Sequence, residues 1–234
     1  MTAGIIAAGE GSRLAASHPE TVKPLVAVAG RPLVHWVIDR LRTAGIGSVT
    51  VLTNSRGTAV PPSLSRAFPG LKFDFFCADT ASSFESFRLV SRRLAENADS
   101  FLISTVDALI APADIGRFLN ECRAAKADAG LALTEFVDDE NPLWADLGEN
   151  GLVTALGERS HAKKTVTCGL YYMTRAAAGK LPTAGAHARL RDFWTALVAS
   201  GARVSGVVLA KTLDVDRPQD VAAAEKFLML ERMK

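Results

Sequence analysis

The sequence predicts an α/β fold: one domain built on a mostly parallel sheet with helices on both faces. Three observations predict it. Short apolar runs alternate with amphipathic stretches in repeated strand–helix–strand units. The 234 residues, 48% of them hydrophobic, suffice to fill one sizeable core. No internal repeat, linker or low-complexity tract divides the chain.

Residues 3–8 form an apolar run that fits a buried strand and breaks at Gly9-Glu10-Gly11-Ser12-Arg13. Residues 32–44 carry Leu33, Trp36, Val37, Arg40 and Leu41 at helical spacing, with Pro32 suited to a first turn and Gly45 to the end. Residues 49–53 are a strand-like, mostly β-branched run, and 54–62, rich in breakers, read as a loop. A third strand spans 71–77, an amphipathic helix follows residues 79–83 and reaches about Leu94, and a strand over 100–106 stops at Asp107. Beyond it, 113–125 read as a helix, 128–136 as a strand and 137–142 as an acidic turn region. Residues 143–147 and 152–156 pair as a hairpin across the strong turn signal Asn150-Gly151, a small antiparallel insertion. A strand over 165–174, helices over roughly 175–181 and 187–200, a strand over 204–209 and a terminal helix from Pro218 complete the chain.

Composition removes several classes of function. A formal charge of +2 is too small for broad nucleic-acid binding. Cys77, Cys122 and Cys168 are widely separated and indicate neither a zinc pattern nor a disulfide framework, which makes a reduced cytoplasm the default compartment. No apolar run approaches the roughly 20 residues that span a bilayer, and no basic region precedes the first strand, so neither membrane insertion nor export is expected. His18, His35, His161 and His187 share no metal-like spacing. A homo-oligomer is left open.

The chemistry starts in the opening stretch. Two glycines with small neighbours let backbone N–H groups approach a bound phosphate, and Arg13 supplies a charge that binds phosphate oxygens in bidentate fashion. Lys23 adds a second cation ten positions on. The simplest ligand for this combination is a nucleoside triphosphate lying over the strand's end. A P-loop is excluded, because this loop runs on to Ser12-Arg13 with no lysine beside a glycine. A dinucleotide fingerprint is excluded as well: its third glycine would fall on Leu14, and the second strand ends without an acidic residue. The glycine loop and Asp107 both lie at carboxyl ends of strands, where ligands of such sheets sit.

Ala7-Ala8-Gly9-Glu10-Gly11-Ser12-Arg13-Leu14, then Lys23-Pro24-Leu25, then Arg31-Pro32-Leu33 together resemble the opening of the nucleotidyltransferase superfamily that contains the nucleoside-diphosphate-sugar pyrophosphorylases and the MobA-like NTP transferases. The resemblance implies a Rossmann-like, GT-A-type sheet, with a nucleotide-binding half over about residues 1–125 and an acceptor-binding half over about 126–234. It implies that residues Ala7 to Ser12 cradle the nucleotide, that Arg13 faces the leaving pyrophosphate and that Lys23 faces the α-phosphate. It further implies a magnesium ion on Asp107 and on a late aspartate in Asp214-Val215-Asp216-Arg217-Pro218-Gln219-Asp220, where Arg217 replaces the usual threonine. Asp214 and Asp216 both remain candidates, with Asp216 slightly preferred, and Asp220 is assigned to the first turn of the last helix. Thr80 and Ser82 are placed against the nucleotide; Glu85, Lys163 and Gly169 are placed against the acceptor. Three of these have a plainer alternative: a turn aspartate at Asp107, a solvated turn at Lys163-Lys164, close strand packing at Gly169. The usual glutamine for base recognition is not evident, so the nucleobase is unread.

What the resemblance implies is nucleotidyl transfer to a phosphorylated acceptor, a sugar 1-phosphate foremost, with phosphocholine, an acid sugar or a molybdenum cofactor as alternatives. Because a phosphate monoester is already ionised near neutral pH, such a site needs positioning and charge neutralisation rather than a general base. The length leads us to expect none of the acyltransferase or β-helix domains that some relatives append. Two other classes compete: a nucleotide-binding regulatory module that lost catalysis, and a glycosyltransferase on a related sheet, which would not need the Gly-x-Gly-x-Arg loop.

Overall fold

The computed structural model describes residues 1–15, 21–137, 140–210 and 212–232. His18, and Asp138 and Asp139 of the acidic turn region, lie outside the described residues. The first half runs β1 (Thr2–Ala7), α1 (Ser12–Ala15), β2 (Ala27–Val28), β3 (Arg31–Pro32), α2 (Leu33–Thr43), β4 (Ser48–Thr53), α3 (Val60–Ala67), β5 (Lys72–Cys77), α4 (Ser83–Ala95), β6 (Ser100–Thr105), β7 (Ala108–Leu109) and α5 (Pro112–Ala124). The second half runs β8 (Ala129–Thr134), β9 (Trp144–Leu147), β10 (Val153–Leu156), β11 (Thr165–Thr174), α6 (Arg175–Gly179), α7 (Leu190–Ala199), β12 (Val204–Leu209), β13 (Leu213–Asp214) and α8 (Pro218–Arg232).

One nine-stranded sheet organises these elements in the order β10-β9-β11-β6-β1-β4-β5, with β8 bonded to β11 and β12 bonded to β8. The pairs β1–β4, β1–β6, β4–β5 and β8–β12 are parallel. Strand β11 runs against both β6 and β8 and joins the two parallel groups, and the expected hairpin forms as the antiparallel pair β9–β10.

Helices cover both faces because the strands are apolar on both faces. One core layer packs Leu33, Ile38, Leu41, Phe118 and Phe227 from α2, α5 and α8 against the sheet. On the other face, Phe84, Phe87, Phe193 and Trp194 of α4 and α7 meet Tyr171 of β11, whose ring stacks on Trp194 with centroids 5.4 Å apart. Helix α4 comes close to β1 because residue 4 is glycine; a Cβ there would fall 2.3 Å from Val90 Cγ1.

Several elements differ from the sequence expectation. Helix α3 begins at Val60, inside the stretch read as a loop, because Pro61 and Pro62 occupy the first helical turn, where no N–H partner is needed. Pro32 lies outside α2: it pairs with Ala27 in the β2–β3 hairpin and the helix starts one residue later. Helix α7 starts at Leu190, where Ser83 Oγ accepts the Leu190 N–H and the Asp192 carboxylate accepts the Arg189 N–H. Among the described residues no helix is long and apolar enough to cross a membrane.

Candidate active site

The candidate site forms where β1 and β6 end at the carboxyl edge of the sheet. After β1 the backbone turns through buried Ala8 and exposed Gly9 and Glu10, and Asn54 at the end of β4 tethers it by donating to the Ala8 carbonyl at 3.0 Å. Two glycines do different work here. A Cβ at Gly9 would meet nothing within 4 Å, which leaves open space over the loop. Gly11 takes φ +59°, and a Cβ there would lie 2.6 Å from Lys23 Cβ. Gly11→Ala is therefore expected to cost about 1–2 kcal/mol of stability from left-handed strain and to push Lys23 off its partners. Thermal unfolding together with turnover checks this, and an unaltered variant would show that the loop tolerates a side chain.

Lys23 begins a single 3₁₀ turn, Lys23–Leu25, anchored by buried Pro24. Its side chain is 8% exposed, and its Nζ donates to Asp107 Oδ2 at 2.5 Å and also to Asp216 Oδ1. Asp107 lies two residues past the end of β6. Asp216 reaches it through a two-residue pairing, β7 with β13, and the Val215 N–H donates to the Asp107 carbonyl at 3.2 Å. The Asp220 carboxylate then accepts the N–H groups of Asp216 (2.9 Å) and Arg217 (2.7 Å) at the start of α8. The first-turn role expected of Asp220 is thus present, and it is not independent of the site, since the same carboxylate holds the backbone of Asp216.

The charges of this triad support one another. Burial disfavours the ammonium of Lys23, but the carboxylates of Asp107 and Asp216 outweigh it and hold the group above the usual lysine range. Burial likewise pushes Asp107 up, while Lys23, helped by the Thr105 hydroxyl, holds its carboxyl below the usual carboxylate range.

Two carboxylates converging on one cationic nitrogen form a place built for positive charge. Hard oxygen donors suit magnesium, which takes one or two carboxylates and completes its shell with water and substrate phosphates. The residues present fit such an ion without a third protein ligand, and among the described residues no group of three metal-ligand side chains exists.

Arg13, exposed on α1, lines one cavity with Asp214, Asp216, Arg217 and Asp220, and Thr134, Thr167 and Cys168 line it too. Asp214 and Asp216 share the cavity and Val215 between them is fully buried, as strand alternation requires. Only Asp216 of the two bonds Lys23. Gly169 lies at a bulge in β11 with φ +73°, and a Cβ there would sit 2.4 Å from Thr105 Oγ1. The close-packing alternative accounts for that glycine, and the bulge bends β11 where Thr167 and Cys168 face the cavity.

The other expected residues lie elsewhere. Ser82 caps α4 by accepting the Glu85 N–H, Thr80 bonds the Ser86 hydroxyl at 2.6 Å, and Glu85 forks onto buried Arg88 at 2.6 and 2.7 Å. These three line a separate cleft of about 480 Å³ beside His187. Lys163 is exposed and lines a third cleft, of about 670 Å³, with Arg159 and Arg191; Pro142 is shared with the first cavity. Of Ser12, only its backbone position at the start of α1 is described. Sequence reasoning missed Asn54 and Thr105, which carry no motif signal, and Glu140, whose carboxylate pairs with Arg217 at 3.0 Å.

A glycine loop, a lysine and two converging aspartates at the carboxyl edge of a mostly parallel sheet place the chain in the GT-A-like nucleotidyltransferase architecture. Residues 3–165 match the MobA-like NTP transferase domain, and the chain belongs to that family. It is similar to a glucose-1-phosphate thymidylyltransferase of Streptomyces griseus, 26% identical over 75% of this chain and 50% of that protein. It spans about half or less of the length of the first curated relatives it matches. Solved structures of the same fold include the inositol-1-phosphate CTP transferase of T. maritima (TM-score 0.79, 17% identity, 96% of this chain and 94% of that one). A UDP-glucose pyrophosphorylase complexed with UDP-glucose is another (TM-score 0.78, 13% identity, 98% of each chain).

Proposed function

We propose that the chain is a nucleotidyltransferase that moves a nucleoside monophosphate from a nucleoside triphosphate to a small phosphorylated acceptor, a sugar 1-phosphate foremost, and releases pyrophosphate. The observation that carries this reading is the convergence of Asp107 and Asp216 on Lys23 beside the glycine loop, with Asp216 and Arg13 lining one cavity. A phosphate oxygen of the acceptor attacks the α-phosphorus, the bond to the β-phosphate oxygen breaks, and pyrophosphate leaves opposite; no proton need move. Arg13 neutralises the leaving group, Lys23 turns from its carboxylates to the α-phosphate, and the backbone from Ala7 to Ser12 holds the triphosphate. Magnesium on Asp107 and Asp216 supplies, when bound, neutralisation of the phosphate charges. The nucleotide belongs to the half before about residue 125 and the acceptor to the half after it.

The test is pyrophosphate release from four triphosphates, with magnesium, against a panel of sugar 1-phosphates, inositol 1-phosphate and phosphocholine. The relatives' names make dTTP with glucose 1-phosphate and CTP with inositol 1-phosphate the first pairs to try. One productive pair is expected. Tight triphosphate binding with no pyrophosphate from any pair would overturn the transferase reading in favour of the regulatory module.

A further inference from the structure

We propose that Arg217 is the group that receives the acceptor's phosphate, and that Glu140 occupies its guanidinium when no acceptor is bound. The inference rests on the transferase reading. An acceptor phosphate that attacks beside Asp107 and Asp216 brings negative charge toward carboxylates, so it needs a cation that lines the same cavity and has no other duty in the reaction. On that reading Lys23, which the free protein holds between both aspartates, serves the α-phosphate, and Arg13 serves the leaving group. Lys163 lines a different cleft. Arg217 lines the cavity itself, next to Asp216 in sequence.

Its geometry suits the task. The backbone N–H of Arg217 is fixed by the Asp220 carboxylate at 2.7 Å, so the side chain starts from a rigid point and is only 24% exposed. Its Nη2 lies 3.0 Å from Glu140 Oε1, and Glu140 is 68% exposed. A solvent-screened pair of this kind is weak and breaks easily. The planar guanidinium that donates to a carboxylate donates to a phosphate in the same geometry, with more charge to gain. Glu140 is thus a stand-in that an incoming phosphate displaces.

Two variants test this with opposite expected signs. Arg217→Gln keeps the backbone N–H that caps α8 and is expected to raise the KM for the acceptor at least about tenfold while the KM for the triphosphate stays within twofold. Glu140→Gln removes only the competitor and is expected to lower the acceptor KM about two- to fivefold. Calorimetric titration with inorganic phosphate reads the same order without turnover: weakest in Arg217→Gln, tightest in Glu140→Gln. A merely structural ion pair would instead lower the melting temperature of both variants alike and move neither constant. Unchanged phosphate affinity in both variants overturns the proposal, whether or not the wild-type protein releases pyrophosphate. Absence of pyrophosphate from wild type with the phosphate order intact overturns only the transferase reading.

Discussion

Lys23→Ala is expected to lower turnover several hundredfold, the usual cost of losing one well-placed charge in a phosphate site, and at the same time to tighten magnesium binding. The two effects have one cause. In the free protein the ammonium lies between Asp107 and Asp216, where it neutralises both carboxylates and competes with any other cation for them. Removing it leaves two close carboxylates that attract a divalent ion more strongly, so the magnesium concentration for half-maximal turnover should fall. The α-phosphate, however, has lost its cation, so the rate falls even when metal is saturating. Magnesium titration of turnover, paired with calorimetry, reads both. A variant that needs more magnesium than wild type would show that Lys23 does not share the carboxylate site with the metal.

The strand ends that place these residues were largely legible, and the contacts that join them were not. Strands β1, β11 and β12 were readable because each is an apolar run bounded by strong local punctuation, and the glycine loop announced itself by its spacing. Helix α3 was hidden by its two prolines, which signal a break unless they fall in a first turn. The pairing of β7 with β13 joins residues about a hundred positions apart by two-residue strands. It has no periodicity to read, because tertiary packing alone creates it. That pairing brings Asp216 beside Asp107 on Lys23, and so the sequence could narrow the choice only to Asp214 and Asp216. Thr80, Ser82 and Glu85 were placed at a ligand by analogy; in the structure Ser82 caps α4, as small polar residues before a helix commonly do, Thr80 bonds Ser86, and Glu85 pairs with Arg88 inside the helix.

Asp107→Asn is expected to leave the protein folded and to lower turnover by at least about a hundredfold. The amide keeps the shape of the carboxylate but neither pairs with an ammonium as a charge nor attracts magnesium. Folding survives because Lys23 retains Asp216, so the loss of stability should stay near 1–3 kcal/mol rather than the larger cost of a buried charge left wholly alone. The pH dependence separates this ion pair from mere shape. The folded Asp107 carboxyl lies below its ordinary value, so its contribution is fully present above the unfolded pKa of about 3.9 and is lost as pH falls through the folded value. The folded Lys23 ammonium lies above its ordinary value, so its contribution is present below about pH 10.4 and is lost only as pH rises through the higher folded value. Between those limits wild type should exceed Asp107→Asn in urea unfolding free energy by a constant amount, and the difference should shrink as acid protonates Asp107. Asp216→Asn is expected to match Asp107→Asn in turnover and metal response, Asp214→Asn to act more weakly because it does not bond Lys23, and Asp220→Asn to fall between them because it holds the Asp216 backbone. Identical magnesium curves for wild type, Asp107→Asn and Asp216→Asn would remove the metal from these two carboxylates. A stability difference that persisted unchanged into acid would remove the ion pair as its source.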